Sequence, residues 1–325
     1  MALLEVSDLR VRFGSVGVVR GVSFHLERGE TLGVVGESGC GKSMTGHALM
    51  GMVPRPGVVE GSIRLEGREL IGLPESAWRG IRGSQVALVM QDPFASLNPV
   101  MRVGDQVAEV LEVHRGWSRR RAREEAESLL RQVGVPEPQA SARKYPHQMS
   151  GGQRQRVVIA AAIACRPKVL IADEPTTALD VTLQAQILRL IEQLQEQEGT
   201  AVLLISHDIG VVAAVSDRVA VFYAGRIVET GAAEEVLTRP RHPYSQALLA
   251  AMPRPDADRL PTIPGQPPRF DALPQGCSFG PRCPLRAEAC AAEPELESAG
   301  SSLAACWMAK DRPVQHAQGA PRPPA

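Results

Sequence analysis

The stretch Thr31-Leu32-Gly33-Val34-Val35, followed by Gly36-Glu37-Ser38-Gly39-Cys40-Gly41-Lys42-Ser43, decides the fold. Its first five residues read as a continuous apolar strand, covered on both faces. The next eight fit G-x-x-x-x-G-K-[ST] in full, and an apolar helix is expected from about Lys42. A Gly-rich turn between a buried strand and a helix lets backbone N–H groups converge on phosphate oxygens, and the helix end adds favourable partial charge. In such a loop Lys42 reaches the β- and γ-phosphates and Ser43 supplies a hydroxyl to Mg²⁺. The bland alternative, a mere Gly-rich turn, weakens as the loop's partners appear in order further along the chain.

Val169-Leu170-Ile171-Ala172-Asp173-Glu174 is the first of them, an apolar strand ending in two acids. Burial accounts for the four apolar residues. Asp173 at the carboxyl end of the strand is placed to face Mg²⁺ through water. Glu174 is the natural group to polarise an attacking water. Two solvated loop acids would look the same in isolation. Beyond the next strand, Ser206-His207-Asp208 puts an imidazole at another strand end, where His207 could contact a γ-phosphate. Ser150-Gly151-Gly152-Gln153 opens a helix with small residues, leaving N–H groups for a second anion. One phosphate loop already serves this chain's nucleotide, so a second anion site implies a nucleotide held between two copies of such a domain.

Working outward, residues 3–13 and 22–26 read as paired strands. Residues 63–65 read as a hairpin piece, 86–90 and 201–205 as buried strands, and 219–228 as a hairpin broken at Ala224-Gly225. Ser118 is a candidate cap for a helix over 119–133, with apolar positions at Ala122, Ala126, Leu129 and Leu130. Its basic run Arg119-Arg120-Arg121 is most simply a solvated face. The sum is a parallel α/β core with a helical insertion. After Pro240 the composition turns to Pro, Gly and Ala, and Pro264-Gly265-Gln266-Pro267-Pro268 reads as a stiff connector. The expected division is residues 1–240 as the main domain, 241–317 as an extension and 318–325 as a disordered tail.

Hydrophobic residues make up 44% of the 325, enough for a packed core. Lys+Arg and Asp+Glu both total 36, so nothing global points to nucleic acid. Met1-Ala2-Leu3-Leu4-Glu5-Val6 reaches charge too soon for a signal peptide, and no apolar run approaches the roughly 18 residues of a membrane span. A soluble or peripheral cytoplasmic protein is expected.

With the phosphate loop, Gln91 at a strand end, Ser150-Gly151-Gly152-Gln153, Asp173-Glu174, Ala178-Leu179-Asp180 and His207 in this order, the first 240 residues or so resemble the ABC ATPase family. The resemblance implies the P-loop NTPase cassette fold: a parallel core, an antiparallel β subdomain and a helical subdomain. It further implies head-to-tail pairing, each cassette's signature completing the other's ATP site. Gln91 would bind Mg²⁺ and sense the γ-phosphate, and Phe13 would stack on adenine. Met149 stands where Leu is usual, a volume-conserving change.

Within that family, residues 90–99 (Met-Gln-Asp-Pro-Phe-Ala-Ser-Leu-Asn-Pro), Tyr145-Pro146-His147-Gln148-Met149, Arg241-His242-Pro243-Tyr244 and Ile263-Pro264-Gly265 resemble the ATPase subunits of dipeptide, oligopeptide and nickel importers. That implies a sister ATPase subunit in a heterodimer, two transmembrane permease subunits, an extracytoplasmic solute-binding protein, and a peripheral place on the cytoplasmic face of the inner membrane. The competing class, a non-transport ABC ATPase of DNA repair or translation, would carry a long coiled coil, a zinc insertion or a second cassette, none of which is seen.

Cys277, Cys283, Cys290 and Cys306 form a cluster spaced C-x5-C-x6-C-x15-C. Four thiolates suit a tetrahedral zinc or a [4Fe–4S] cluster. The lack of a tight C-x2–4-C knuckle favours the larger cube, and a reducing compartment weighs against disulfides. Similar tails in peptide-importer ATPases imply the iron–sulfur cluster. Its expected role is a staple for a small Pro-rich unit, and with no catalytic motif in that unit the iron is not expected to touch ATP chemistry.

Overall fold

The computed structural model describes residues 2–176, 181–252 and 261–309. Two compact units emerge: residues 27–30 with 72–203, and residues 2–26, 31–71 and 204 onward. Among the described residues no helix is long and apolar enough to cross a membrane. Ala178-Leu179-Asp180 and the tail 318–325 lie outside the described residues.

The chain opens with β1 (Leu4–Phe13) and β2 (Val16–Leu26), an antiparallel pair, then β3 (Thr31–Val35) and α1 (Lys42–Leu49). The second strand begins six residues before its expected start. β4 (Val58–Leu65) and β5 (Arg68–Glu69) complete a four-stranded sheet in the order β2-β1-β4-β5. The buried set on β1 changes parity, from Leu4 and Val6 to Leu9 and Val11. A side-chain period of two forbids this without an extra residue, and the pairing shifts register between Val6 and Leu9, at Asp8, whose φ is 45°.

The helix-rich unit follows. It holds α2 (Glu75–Trp78), β6 (Val86–Val89), α3 (Pro93–Ser96), α4 (Val103–Arg115), α5 (Arg119–Gln132), α6 (Pro138–Ala142), α7 (Gly151–Ile163), β7 (Val169–Asp173) and α8 (Val181–Glu198). β6 and β7 are parallel, Val86 beside Val169 and Leu88 beside Ile171. α5 buries Ala122, Ala126, Leu129 and Leu130, the expected face. Ser118 occupies the N-cap but its side chain makes no capping bond. Arg119, Arg120 and Arg121 are exposed, the last over the Trp117 ring at 3.8 Å, so the basic run is a solvated face.

β8 (Ala201–Ile205) is the strand at which the chain passes between units. After it come α9 (Ile209–Val215), β9 (Arg218–Tyr223), β10 (Arg226–Ala232), α10 (Ala233–Thr238) and α11 (Pro243–Ala250). β9 runs parallel to β3 and antiparallel to β10. α9 packs so closely on β3 that a Cβ on Gly33 would lie 2.3 Å from Val212. The residues beyond Pro240 join the same sheet: β12 (Ser302–Ala304) pairs with β10 through Glu229 and Ala304, and with β11 (Glu297–Ala299).

Candidate functional site

In the unit that carries β3, residues 36–41 form the loop between β3 and α1. Gly36 has φ 154° and a Cβ there would lie 2.3 Å from the Phe222 carbonyl oxygen; Gly41 has φ 106° at the N-cap of α1, where a Cβ would lie 2.7 Å from the Val18 carbonyl oxygen. Only glycine tolerates both conformation and contact. Lys42 is buried and its ammonium donates to the carbonyls of Gly36 (2.8 Å) and Glu37 (3.0 Å). Cys40 lies beneath it, its thiol pushed up chiefly by burial, which suits packing over reactivity. Ser43 is exposed at the first turn of α1. Ser38 and Gly39 follow Glu37 along the loop, and a Cβ on Gly39 would meet open space. His207 is exposed just past β8, and Phe13 is half-buried at the end of β1.

In the helix-rich unit, Asp173 ends β7, 9% exposed, and Glu174 follows with φ 49°. A left-handed conformation at a non-glycine residue costs roughly 1–3 kcal/mol and is kept only where surroundings impose it. Gln91 supplies part of them: its amide Nε2 donates to Glu174 Oε2 at 2.7 Å. That leaves the amide oxygen as the atom for a cation. The Asp173 carboxylate and Gln91 carbonyl of this unit, like the Ser43 hydroxyl of the other, are each hard oxygen donors, the chemistry Mg²⁺ prefers.

Ser150 begins α7 as expected, accepting from the Gln153 N–H at 3.3 Å while Gln153 Oε1 accepts from the Ser150 N–H at 3.2 Å. This reciprocal cap fixes the helix start. Gly151 is exposed, and Gly152 is buried where a Cβ would lie 2.0 Å from Leu183 Cδ2. Met149 is buried. Asp92 caps α3 through the Phe94 N–H, 2.8 Å, and presents Phe94, 65% exposed, beneath Arg154, whose guanidinium sits 3.7 Å over the ring. Arg154 also donates to the Pro146 carbonyl at 2.7 Å. The residues after Gln91 are thus tied to the helix that Ser150 starts, through an arginine that motif matching did not single out.

The extension is anchored by rings. Tyr223, Tyr244, His242 and Phe279 pack together, with Tyr223 and Phe279 edge to face at 5.3 Å. His242 caps α11 by accepting the Tyr244 N–H on Nδ1 at 3.0 Å. Burial pushes His242 down to about 3, so it is neutral and can accept. Buried Glu229 accepts the N–H groups of Arg241 and His242, and its own carboxyl is pushed up by burial. Arg20 on β2 clasps Glu293 at 2.9 Å and Ser278 at 3.0 Å.

Cys277, Cys283, Cys290 and Cys306 are all free and half-buried. Burial raises Cys277 and Cys306 most, with smaller contributions from the other thiols. The Leu285 N–H turns toward the Cys283 sulfur at 3.4 Å, while the Gly280 N–H donates to the Cys277 carbonyl at 2.8 Å. Among the described residues no three His, Cys, Asp or Glu side chains are gathered tightly enough to hold a metal ion, so neither the iron–sulfur centre nor its zinc alternative is formed as a ligand set.

The extension is not remote from the phosphate loop. Arg282, between two of the cysteines, forks onto Glu37 at 2.7 and 3.0 Å, and the Glu37 N–H donates to the Tyr244 hydroxyl at 2.9 Å. These contacts join the extension to the loop through Arg282 and Tyr244, not through the cysteines.

A phosphate loop after a buried strand and a strand ending in Asp173-Glu174 define the class as a P-loop ATPase. Comparison with known proteins narrows it. Residues 19–177 match the ABC transporter family model, and residues 228–290 match that of the oligopeptide/dipeptide transporter C-terminal region. The oligopeptide transport ATP-binding protein OppD of Salmonella typhimurium is 51% identical, over 94% of this chain and 93% of its own length. The dipeptide transport ATP-binding protein DppD of Bacillus subtilis is 46% identical over 97% of each chain. The solved dimer of the ATP-binding cassette MJ0796 with ADP and Pi superposes with a TM-score of 0.64 at 26% identity, covering 71% of this chain and 98% of that one. The chain belongs to the ABC transporter family of ATP-binding proteins and has its cassette fold. The non-transport alternative is not favoured by these relatives.

Proposed function

We propose that the chain is the ATP-hydrolysing subunit of an importer for oligopeptides, dipeptides or a related solute. The observation that carries this is the presence, in one chain, of a formed phosphate loop, a Glu174 held by Gln91 at a strand end, and an extension of the oligopeptide/dipeptide type. Residues 36–43 cradle the phosphates, Lys42 exchanging its carbonyl partners for β- and γ-oxygens. Phe13 packs on adenine. Ser43, Gln91 and Asp173 hold Mg²⁺, which when bound neutralises developing charge on the phosphates. Glu174 accepts the proton of the attacking water, and His207 contacts the γ-phosphate. Ser150, Gly151, Gly152 and Gln153 serve the nucleotide of a sister cassette. The domain limits at residues 240 and 317 belong to the same reading.

The assembly it implies has a sister ATPase, two permease subunits and an extracytoplasmic binding protein, with this chain peripheral on the cytoplasmic face of the inner membrane. In this reading the four cysteines are the candidate ligands of a [4Fe–4S] cluster, whose thiolate chemistry they match in kind, while their side chains are not gathered into a ligand set in this structure. The test is co-expression with candidate permease genes, purification from membranes and peptide uptake in vesicles. ATP-dependent uptake with two polytopic partners supports the proposal, and co-purification with ribosomes or DNA instead contradicts it.

A further inference from the structure

Glu37 is an acid inside a loop whose purpose is to receive an anion. A carboxylate there repels a triphosphate through a short, poorly screened distance unless a cation answers it. The cation comes from the extension. Arg282 ends the short helical turn Gly280–Arg282, between Cys277 and Cys283. Its guanidinium donates to Glu37 Oε2 at 2.7 Å and Oε1 at 3.0 Å, to the Tyr223 hydroxyl at 3.3 Å and to the Pro264 carbonyl at 2.8 Å. The Arg282 side chain is 5% exposed and that of Glu37 24%, so the pair is largely withdrawn from water. A planar fork on a carboxylate fixes direction as well as charge.

The rest of Glu37 is held as firmly. Its N–H donates to Tyr244, which is fully buried, and its carbonyl accepts from Lys42. Of the partners that hold this residue of the phosphate loop, Arg282 and Tyr244 come from beyond Pro240.

We propose that Arg282 is a positioning residue for the nucleotide. It neutralises Glu37 and, with Tyr244, holds the phosphate loop in its receiving shape, so that the order of the cysteine-bearing turn sets the affinity for ATP. The inference rests on the reading of residues 36–43 as the ATP site. It makes the extension part of nucleotide binding, and gives any event at Cys277 or Cys283 a direct route to the phosphate loop.

The test is equilibrium titration of the full chain with a fluorescent ATP analogue and Mg²⁺, with thermal unfolding measured without nucleotide. Arg282→Ala should raise Kd about tenfold or more, the scale of a broken, largely buried charge pair. Arg282→Lys should recover part of the loss, restoring charge without the fork. On a Glu37→Gln background, where no carboxylate needs an answer, Arg282→Ala should raise Kd by a much smaller factor. In ATPase assays the change should appear in KM, with kcat within about twofold. Wild-type protein that binds no ATP would sink the reading of the loop itself. Wild-type binding with an unchanged Kd in folded Arg282→Ala or Arg282→Lys would overturn the inference alone, as would fully multiplicative effects of the Arg282 and Glu37 changes. If Arg282→Ala does not fold, Arg282→Lys and Glu37→Gln decide the matter by the same readout.

Discussion

The Gln91 amide donates to the Glu174 carboxylate at 2.7 Å, so the residue read as the γ-phosphate sensor touches the residue read as the base. The bond fixes where the Glu174 carboxylate points at the strand end. Gln91→Glu places a second carboxylate there with little change of shape. Two carboxylates have no donor between them and repel, so the Glu174 carboxylate loses its anchor and ATP turnover should fall about tenfold or more. Turnover within about twofold of wild type would separate the two residues functionally.

Lys42 holds two loop carbonyls, and in the proposed site it exchanges them for phosphate oxygens. Lys42→Ala should weaken ATP binding at least about tenfold, since a charge-assisted contact is lost. Unchanged affinity in a titration would remove Lys42 from that role.

Ser150 caps a helix and has a second, proposed role at a sister cassette's nucleotide, and the two separate in experiment. As a cap it contributes about 1 kcal/mol, so Ser150→Ala should lower the Tm by only a few degrees. As part of a site completed between cassettes it should cost far more in ATPase activity of the assembled transporter. A loss of activity no larger than the loss of stability would leave only the cap.

His242 makes stability depend on pH. Its folded value is pushed down to about 3 against an ordinary 6.5, so only the unfolded chain takes up the proton between them. The stabilisation is complete above about pH 6.5 and is lost as pH falls toward 3, at a limiting slope of about 1.4 kcal/mol per pH unit. Glu229, pushed up by burial, works in the opposite direction as pH falls through its raised value toward the ordinary carboxylate range. His242→Asn keeps a capping acceptor that does not titrate. Denaturant unfolding at pH 7 and pH 5 should therefore show a smaller acid loss in the variant, and equal losses would contradict the assignment.

The cysteines give a compositional test. Anaerobically purified protein should be brown and carry about four irons and matching sulfide per chain. Stoichiometric zinc without iron would replace the cluster by a tetrahedral zinc. Cys283→Ser should lose the metal, and because Arg282 is its neighbour it should also weaken ATP binding in the direction of Arg282→Ala.

Much of this was legible because it is local. Residues 31–43 carry strand, turn and helix start in thirteen consecutive positions, and β7 with its two acids is equally contiguous. The register shift at Asp8 was present in the parity change from Val6 to Leu9 but passes for plain alternation until the pairing is seen. β11 and β12 are Glu-Ser-Ala and Ser-Leu-Ala, with no β-branched or aromatic residue; pairing with β10 makes them strands, not propensity. Arg282 and Glu37 are 245 residues apart, and no periodicity or spacing joins such a pair. Only their charges were visible, among 36 basic and 36 acidic residues, and folding selects the partners.

In the proposed mechanism this chain hydrolyses ATP with Glu174 as the group that accepts a proton from water. The measurement that meets it most directly is ATP turnover by Glu174→Gln in the assembled transporter, with ATP binding titrated on the same preparation. The amide keeps the shape and a hydrogen-bonding partner for Gln91 but cannot take the proton. Turnover should fall by about 10²–10⁴-fold while ATP still binds and holds the cassettes closed. Turnover within a few-fold of wild type, with binding intact, would contradict the account.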